Sequence, residues 1–292
     1  MRKSTGEKVF EFFNTAGMFL FMLSTLYPMW YIFIISLTDT SNTSTANIYL
    51  LPGKLSLDSY KAVVMNAQLI NGFRISVLRV VIGVSLTLLV CSLGAYVLSR
   101  RHFKGSRFFN MMIVVSMFIS AGMIPFFLIV RSMGLVNNFW GLIIPFAYDP
   151  FGIILIRNYF FNIPASLEES ARIDGANDLK VYMKIIIPIS MPILATMALF
   201  WSVWFWNDFI YASFLVTKKD LQPIQTILLQ IVNGASNATA LAKISARGIR
   251  LRANGESVKT AAIIASIVPI LVVYPFVQKY FVQGITLGSV KE

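Results

Sequence analysis

The side chains that usually carry catalysis are scarce in this sequence. There is one histidine, His102, and one cysteine, Cys91, among 292 residues. A metal centre or a nucleophile with its base needs several such groups converging on one point. His102 lies in a basic turn with Arg100, Arg101, Lys104 and Arg107, where it reads as a solvated loop residue. Cys91 sits in an apolar run, reads as a small core residue, and has no second cysteine to pair with. No Gly-x-x-x-x-Gly-Lys-Ser/Thr segment occurs, so no phosphate-cradling loop of that type is expected, and neither a cofactor nor a metal is expected in the chain itself.

What remains is chemistry of recognition. Asp149, between Tyr148 and Pro150, interrupts an otherwise apolar stretch, and a carboxylate in such a place is costly enough to be a functional candidate by default. Pro150 loosens the helix and can leave a carbonyl free to line a cavity. Asp149 therefore reads either as a residue of a path or gate, or as the buried partner of a basic group on a neighbouring helix. Trp201, Trp204, Trp206, Asn207 and Asp208 end another apolar run, and helical spacing puts Trp201, Trp204 and Asp208 on one face. Aromatic faces beside amide and carboxylate groups suit the C–H faces and hydroxyl edges of sugar rings; an interfacial aromatic belt has the same composition. Lys243, Arg247, Arg250 and Arg252 form a basic stretch, the first three with helical spacing. It reads as a solvated or headgroup-facing surface, or as a surface that docks an acidic protein or guides an anionic saccharide.

The elements that must position these groups follow from charge spacing. The chain is 57% hydrophobic and 13% charged, against roughly 25% charged in a soluble domain. Charge-free runs occupy 12–38, 80–99, 108–130, 185–207 and 260–278, each long enough to cross ~30 Å of hydrocarbon as helix. A sixth apolar segment is interrupted by Asp149. The expected fold is an all-α integral membrane protein, a single domain over 1–292, with spans near 12–37, 75–99, 108–130, 138–160, 185–207 and 260–280. An inner loop covers about 161–184 and an outer one about 208–259. The first run is too long for a cleavable signal peptide and is expected to stay in place.

Arg100, Arg101, Lys104 and Arg107 crowd one short loop while the opposite turn at 131–138 holds only Arg131, which puts both termini in the cytoplasm. The formal net charge of +12 is divided among loops on both faces, which argues against nucleic acid as a partner.

The longest inner loop, Pro164 to Asp178, reads as a helix–turn–helix. Ser166 and Glu169 have capping-box spacing, Gly175 suits a left-handed helix end, and Asn177 can cap the helix that follows. Glu169-Ser170-Ala171, then Gly175, then after nine residues Ile185-Ile186-Ile187-Pro188, resembles the EAA loop of ABC importer permeases, with Ser170 and Ile187 as departures. The stretch Asp174-Gly175-Ala176, the run Pro188 to Leu194, and the closing Tyr280 to Lys291 resemble the carbohydrate branch of that family. Within it the likeness is nearest to polysaccharide-type permeases such as the second permease subunit of alginate-oligosaccharide importers.

The resemblance implies the six-helix type I importer architecture, in which Glu169, Ser170, Ala171, Asp174, Gly175 and Pro188 belong to a coupling element. It further implies a second homologous permease, two ATPase subunits that bind ATP and Mg, an extracytoplasmic solute-binding protein, an oligosaccharide substrate, acidic ones included, and residence in a bacterial cytoplasmic membrane. In a groove of the ATPase, Leu167, Ala171 and Ile173 would be buried and Glu169 would meet a basic group. A membrane-embedded enzyme or a proton-driven carrier is the alternative class, and both would call for more intramembrane His, Cys or carboxylate groups than this chain has.

Overall fold

The computed structural model describes residues 4–39, 51, 53–100, 103–119, 121–234 and 255–289, with the side chains of 274 and of 276–289 left aside. His102, Lys243, Arg247, Arg250 and Arg252 lie outside the described residues. Among those described the chain is helical, with one isolated bridge between Thr38 and Leu55 and no strand.

The first helix, α1 (Thr5–Leu37), opens on a capping box in which Ser4 Oγ accepts from the Glu7 amide and Glu7 accepts from the Ser4 amide. It is followed by α2 (Asp58–Met65), α3 (Ala67–Ser99), α4 (Ser106–Phe118) and α5 (Met123–Ser132). Short 3-10 turns at Phe139–Leu142 and Ile144–Phe146 lead to α6 (Pro150–Phe161) and α7 (Ala165–Ile173). Then come α8 (Asp178–Val181), a π-turn (Tyr182–Ile186), α9 (Ile187–Ile189), α10 (Met191–Asn207), α11 (Ile210–Leu215), α12 (Ile224–Val232) and α13 (Gly255–Ser289).

Among the described residues three helices, α1, α3 and the Gly255–Val273 part of α13, are each long and apolar enough to span, and three bent pairs bring the number to as many as six when each pair is one span. The bends have sequence causes. Pro150 begins α6 rather than interrupting a longer helix, so the segment expected near 138–160 is two 3-10 turns followed by α6, bent by 49°. Pro188 and Pro192 flank the break at Ser190, where the Asp178–Ile189 run meets α10 at 79°. Neither proline can donate an amide to the preceding turn, and the π-turn widens the helix just before the first of them. α3 begins at Ala67 rather than near residue 75, which brings Arg74 as well as Arg79 inside a helix of 33 residues, the latter already within the expected span.

The chain divides into two compact units. One comprises Met1–Ile70 and Leu228–Val268. Within it, Ile34 and Ile35 at the end of α1 are buried, as are Ala62 and Val63 of α2, and Ser36 Oγ and Tyr60 Oη share a 2.8 Å hydrogen bond. Most of α1 before Ile34 is exposed and apolar. The other unit comprises Asn71–Ile227 and Pro269–Glu292, and it carries the candidate site. One core there packs Cys91 and Ala95 of α3 against Ile156 and Phe160 of α6, Ile186 of the π-turn, and Met197, Trp201 and Phe205 of α10. A second core joins Ile75, Val130, Leu142, Ala212 and Leu215.

Candidate functional site

The inner loop folds as α7, a left-handed corner and α8. The corner is Gly175, with φ +79°, where its amide closes on the Arg172 carbonyl at 3.0 Å. Asn177 caps α8 by accepting from the Lys180 amide at 2.9 Å. The capping box expected from Ser166 and Glu169 does not form: α7 starts one residue before Ser166, Pro164 is its N-cap, and no side chain caps it. Glu169, Ser170, Asp174, Gly175 and Pro188 are exposed, as are Leu167 and Ile173 at 43% and 87%. Ala171 is turned the other way, packing with Ala176 against the core, so it is no part of the outward apolar surface.

The residue that α7 turns inward is Glu168, which forms an ion pair with Arg100. The guanidinium of Arg100 stacks 4.2 Å from the centre of the Tyr96 ring, and its Nε donates to the Tyr96 carbonyl at 3.2 Å. Burial pulls the Arg100 pKa below the usual arginine value, with Tyr96 acting in the opposite sense; an arginine nevertheless stays charged. Tyr96 Oη donates to the Asp178 carbonyl at 3.2 Å, its ring lies 5.1 Å from that of Tyr182, and Tyr182 Oη and Ser92 Oγ lie 2.6 Å apart. Arg172 and Asp178 pair across the corner.

The second constellation gathers four of the seven residues expected to line a path. Tyr148, Asp149, Trp201 and Trp204 share a groove of about 450 Å³ with Pro145, Phe146, Phe151, Met197, Phe200 and Phe205. Among the described residues Asp149 has no basic partner, and it lies at the bend between the 3-10 turns and α6. It is the N-cap of α6, and its Oδ2 accepts from the Gly152 amide at 3.0 Å and from Trp201 Nε1 at 2.9 Å. The helix N-terminus supplies the positive end that a basic group would supply in one of the two readings of this residue. Gly152 makes the arrangement sterically feasible, since a Cβ there would lie 2.5 Å from Trp201 Cζ2. Trp201 is buried, whereas Tyr148 and Trp204 are 48% and 39% exposed and present their rings to the groove.

Asn207 and Asp208 border an adjoining hollow of about 390 Å³ with Trp204 and Tyr211. Trp206 belongs to neither: it is buried, with its ring 6.4 Å from that of Phe73.

Sequence reading missed the group that organises this end of α10. Arg79 of α3 is fully buried, and its Nη2 pairs with Asp208 Oδ2 at 2.6 Å. Nε donates to the Leu142 carbonyl at 3.0 Å, and Nη1 to the carbonyls of Phe205 and Asp208 at 3.4 and 3.1 Å. The rings of Phe146, Trp204 and Phe205 surround the guanidinium at 5.4–6.0 Å. Asp208 also accepts from the Tyr211 amide at 3.0 Å. Thus Asp208 is a structural anchor rather than a free carboxylate on the groove. The available signal was Arg79 itself, set between Val77-Leu78 and Val80-Val81 just outside a charge-free run. Among the described residues no group of three or more His, Cys, Asp or Glu could hold a metal ion.

Residues 92–287 match the family described as binding-protein-dependent transport system inner membrane component. The polygalacturonan/rhamnogalacturonan transport system permease protein YtcP of Bacillus subtilis (strain 168) is 36% identical over 284 residues, covering 97% of this chain and 99% of its own. Protein LplC of the same strain is 35% identical, covering 91% of this chain and 90% of its own. A crystal structure of a bacterial ABC transporter involved in the import of the acidic polysaccharide alginate contains a chain 36% identical, superposing with a TM-score of 0.88 over 96% of this chain and 99% of that one. By the extent of the family match and the identity to its relatives, this chain belongs to the binding-protein-dependent transport system inner membrane components.

Proposed function

We propose that this chain is one of two transmembrane subunits of an ATP-driven importer for oligosaccharides, acidic ones in particular, in a bacterial cytoplasmic membrane with both termini inside. Two ATPase subunits would supply hydrolysis with their own ATP and Mg, and α7 would dock on them. A second, homologous permease would complete the path, and a solute-binding protein would deliver substrate. The observation that carries the reading is that two nearly full-length likenesses at 36% identity are named for polygalacturonan/rhamnogalacturonan transport and for alginate import, whereas those named for arabinooligosaccharides or trehalose are 25–30% identical. Polygalacturonan and alginate are chains of uronates, with one carboxylate on each sugar.

The geometry supports the saccharide part of this reading. Tyr148 and Trp204 offer exposed ring faces at the mouth of a groove, with the Asp149 carboxylate and the Tyr148 hydroxyl as its polar edge. Sugar rings stack on such faces and hydrogen-bond at such edges. Arg79 packs against the Phe146, Trp204 and Phe205 rings that line the groove, and it is already paired with Asp208. Attraction of a polyanion would therefore come from elsewhere, for which the basic stretch Lys243, Arg247, Arg250 and Arg252 is the candidate.

The test is uptake into proteoliposomes holding this chain, its permease partner, the ATPases and the binding protein, comparing a uronate oligosaccharide with a neutral one of equal length. ATP-dependent uptake favouring the uronate chain is expected. Uptake that survives ATP depletion and follows a proton gradient would replace the importer by a carrier, and equal uptake of both sugars would remove the acidic preference.

A further inference from the structure

Two adjacent glutamates of α7 face different ways. On a helix, neighbouring residues differ by roughly 100° in direction. Glu169 is exposed beside the outward Leu167 and Ile173, while Glu168 turns in to Arg100, with side-chain exposures of 13% and 10% for the pair. Arg100 immediately follows the last residue of α3. The loop is thus fastened to a helix with which it has no direct chain connection. The fastening is repeated within the last two turns of α3: Tyr96 binds the start of α8 through the Asp178 carbonyl, and Ser92 binds Tyr182 in the π-turn. Arg157 of α6 adds a 3.4 Å hydrogen bond to the Leu98 carbonyl.

We infer that Arg100 and Glu168 form a positioning pair that makes the second span, α3, a driven element: displacement of α7 by a cytoplasmic partner is delivered to α3 as well as to the spans that flank the loop in sequence. This rests on the reading of α7 as the ATPase-facing element. An ion pair of such low exposure is screened far less than a surface pair, and it is directional because the Tyr96 ring and carbonyl fix the guanidinium. The consequence reaches the path. Some 21 residues before Arg100, about 30 Å along the helix, α3 carries Arg79, which grips Asp208 and the Leu142 carbonyl at the groove end of α10. α3 is therefore a strut between the loop and the rim of the groove.

The test uses the full complex in proteoliposomes with an oligogalacturonate of defined length. The readout is ATP hydrolysed per oligosaccharide imported, together with the half-saturating oligosaccharide concentration, each normalised to assembled complex. Arg100→Gln and Glu168→Gln are each expected to raise the ratio about fivefold, the lower end of what coupling between two sites is worth, with half-saturation unchanged. The exchange Arg100→Glu with Glu168→Arg is expected to bring the ratio back to within about twofold of the parent. A loss of packing alone would lower the amount of assembled complex without changing the ratio. Single variants that assemble and keep the parent ratio would overturn the inference, as would an exchange that leaves the ratio raised. Glu168→Gln is isosteric and decides the matter if the Arg100 variants do not assemble. A parent complex whose hydrolysis is not stimulated by oligosaccharide would instead remove the importer reading, and the positioning pair with it.

Discussion

Replacing Arg79 with Met should be the most damaging single change in the described interior, and its size can be worked from the contacts. Arg79 is 0% exposed and Asp208 5%. Removing the cation leaves a buried carboxylate that keeps the Tyr211 amide as donor, and deprives the carbonyls of Leu142, Phe205 and Asp208 of their shared donor. Breaking a buried pair by removing one partner costs about 3–5 kcal/mol. Asp208→Asn is expected to cost less, about 1–3 kcal/mol, because Arg79 keeps three carbonyl acceptors and three aromatic faces and the amide oxygen still accepts. The double variant should cost about 2 kcal/mol less than the sum of the singles, since no charge is then left uncompensated.

The assay is resistance of the detergent-solubilised complex to thermal dissociation, scored as the fraction still assembled. A loss of about 3 kcal/mol is more than 100-fold in an equilibrium ratio, so Arg79→Met should separate from the parent without ambiguity. An Arg79→Met variant within about 1 kcal/mol of the parent would refute the buried pair as an anchor. An Asp208→Asn variant worse than Arg79→Met, or a simply additive double variant, would refute it equally.

Gly152→Ala would put a methyl group 2.5 Å from the Trp201 indole and 2.7 Å from Asp149 Oδ2. It is expected to cost about 1–3 kcal/mol and to shift the part of the fluorescence that Trp201→Phe abolishes; an unchanged spectrum would mean that the ring has room to move. Glu169→Lys and Gly175→Pro should leave membrane insertion intact and abolish oligosaccharide-stimulated ATP hydrolysis, the first by reversing an exposed charge, the second because proline cannot adopt φ +79°. Stimulation equal to the parent in both variants would remove α7 from coupling. Ile173→Ser, at a side chain 87% exposed, should change stability by no more than about 0.5 kcal/mol yet weaken co-purification of the ATPases. A loss of stability with co-purification intact would reverse that assignment.

Much of this was legible in one dimension because it depends on neighbours in sequence. Charge-free runs of span length mark the apolar helices, since lipid forces each segment to satisfy its own backbone. Glycine at 175 and asparagine at 177 mark the corner and the cap because those geometries are set within four residues. The kink at Ser190 was not, since 185–207 reads as one span, although two prolines flank it. What tertiary structure decided was the partner of each costly group. Asp149 had either a path role or a basic partner to choose from in sequence, and folding set it on the groove at a helix N-terminus under an indole, with those donors in place of a basic partner. Arg79 and Asp208 are 129 positions apart, and nothing in local spacing tells that they meet. Glu168 and Glu169 are chemically identical neighbours, and only the presence of Arg100 and Tyr96 on one side of α7 turns one inward and leaves the other exposed. Periodicity tells which residues share a helix face; what that face meets depends on segments brought together from far along the chain, and a buried charge is stable only where those segments supply its counter-charge and acceptors.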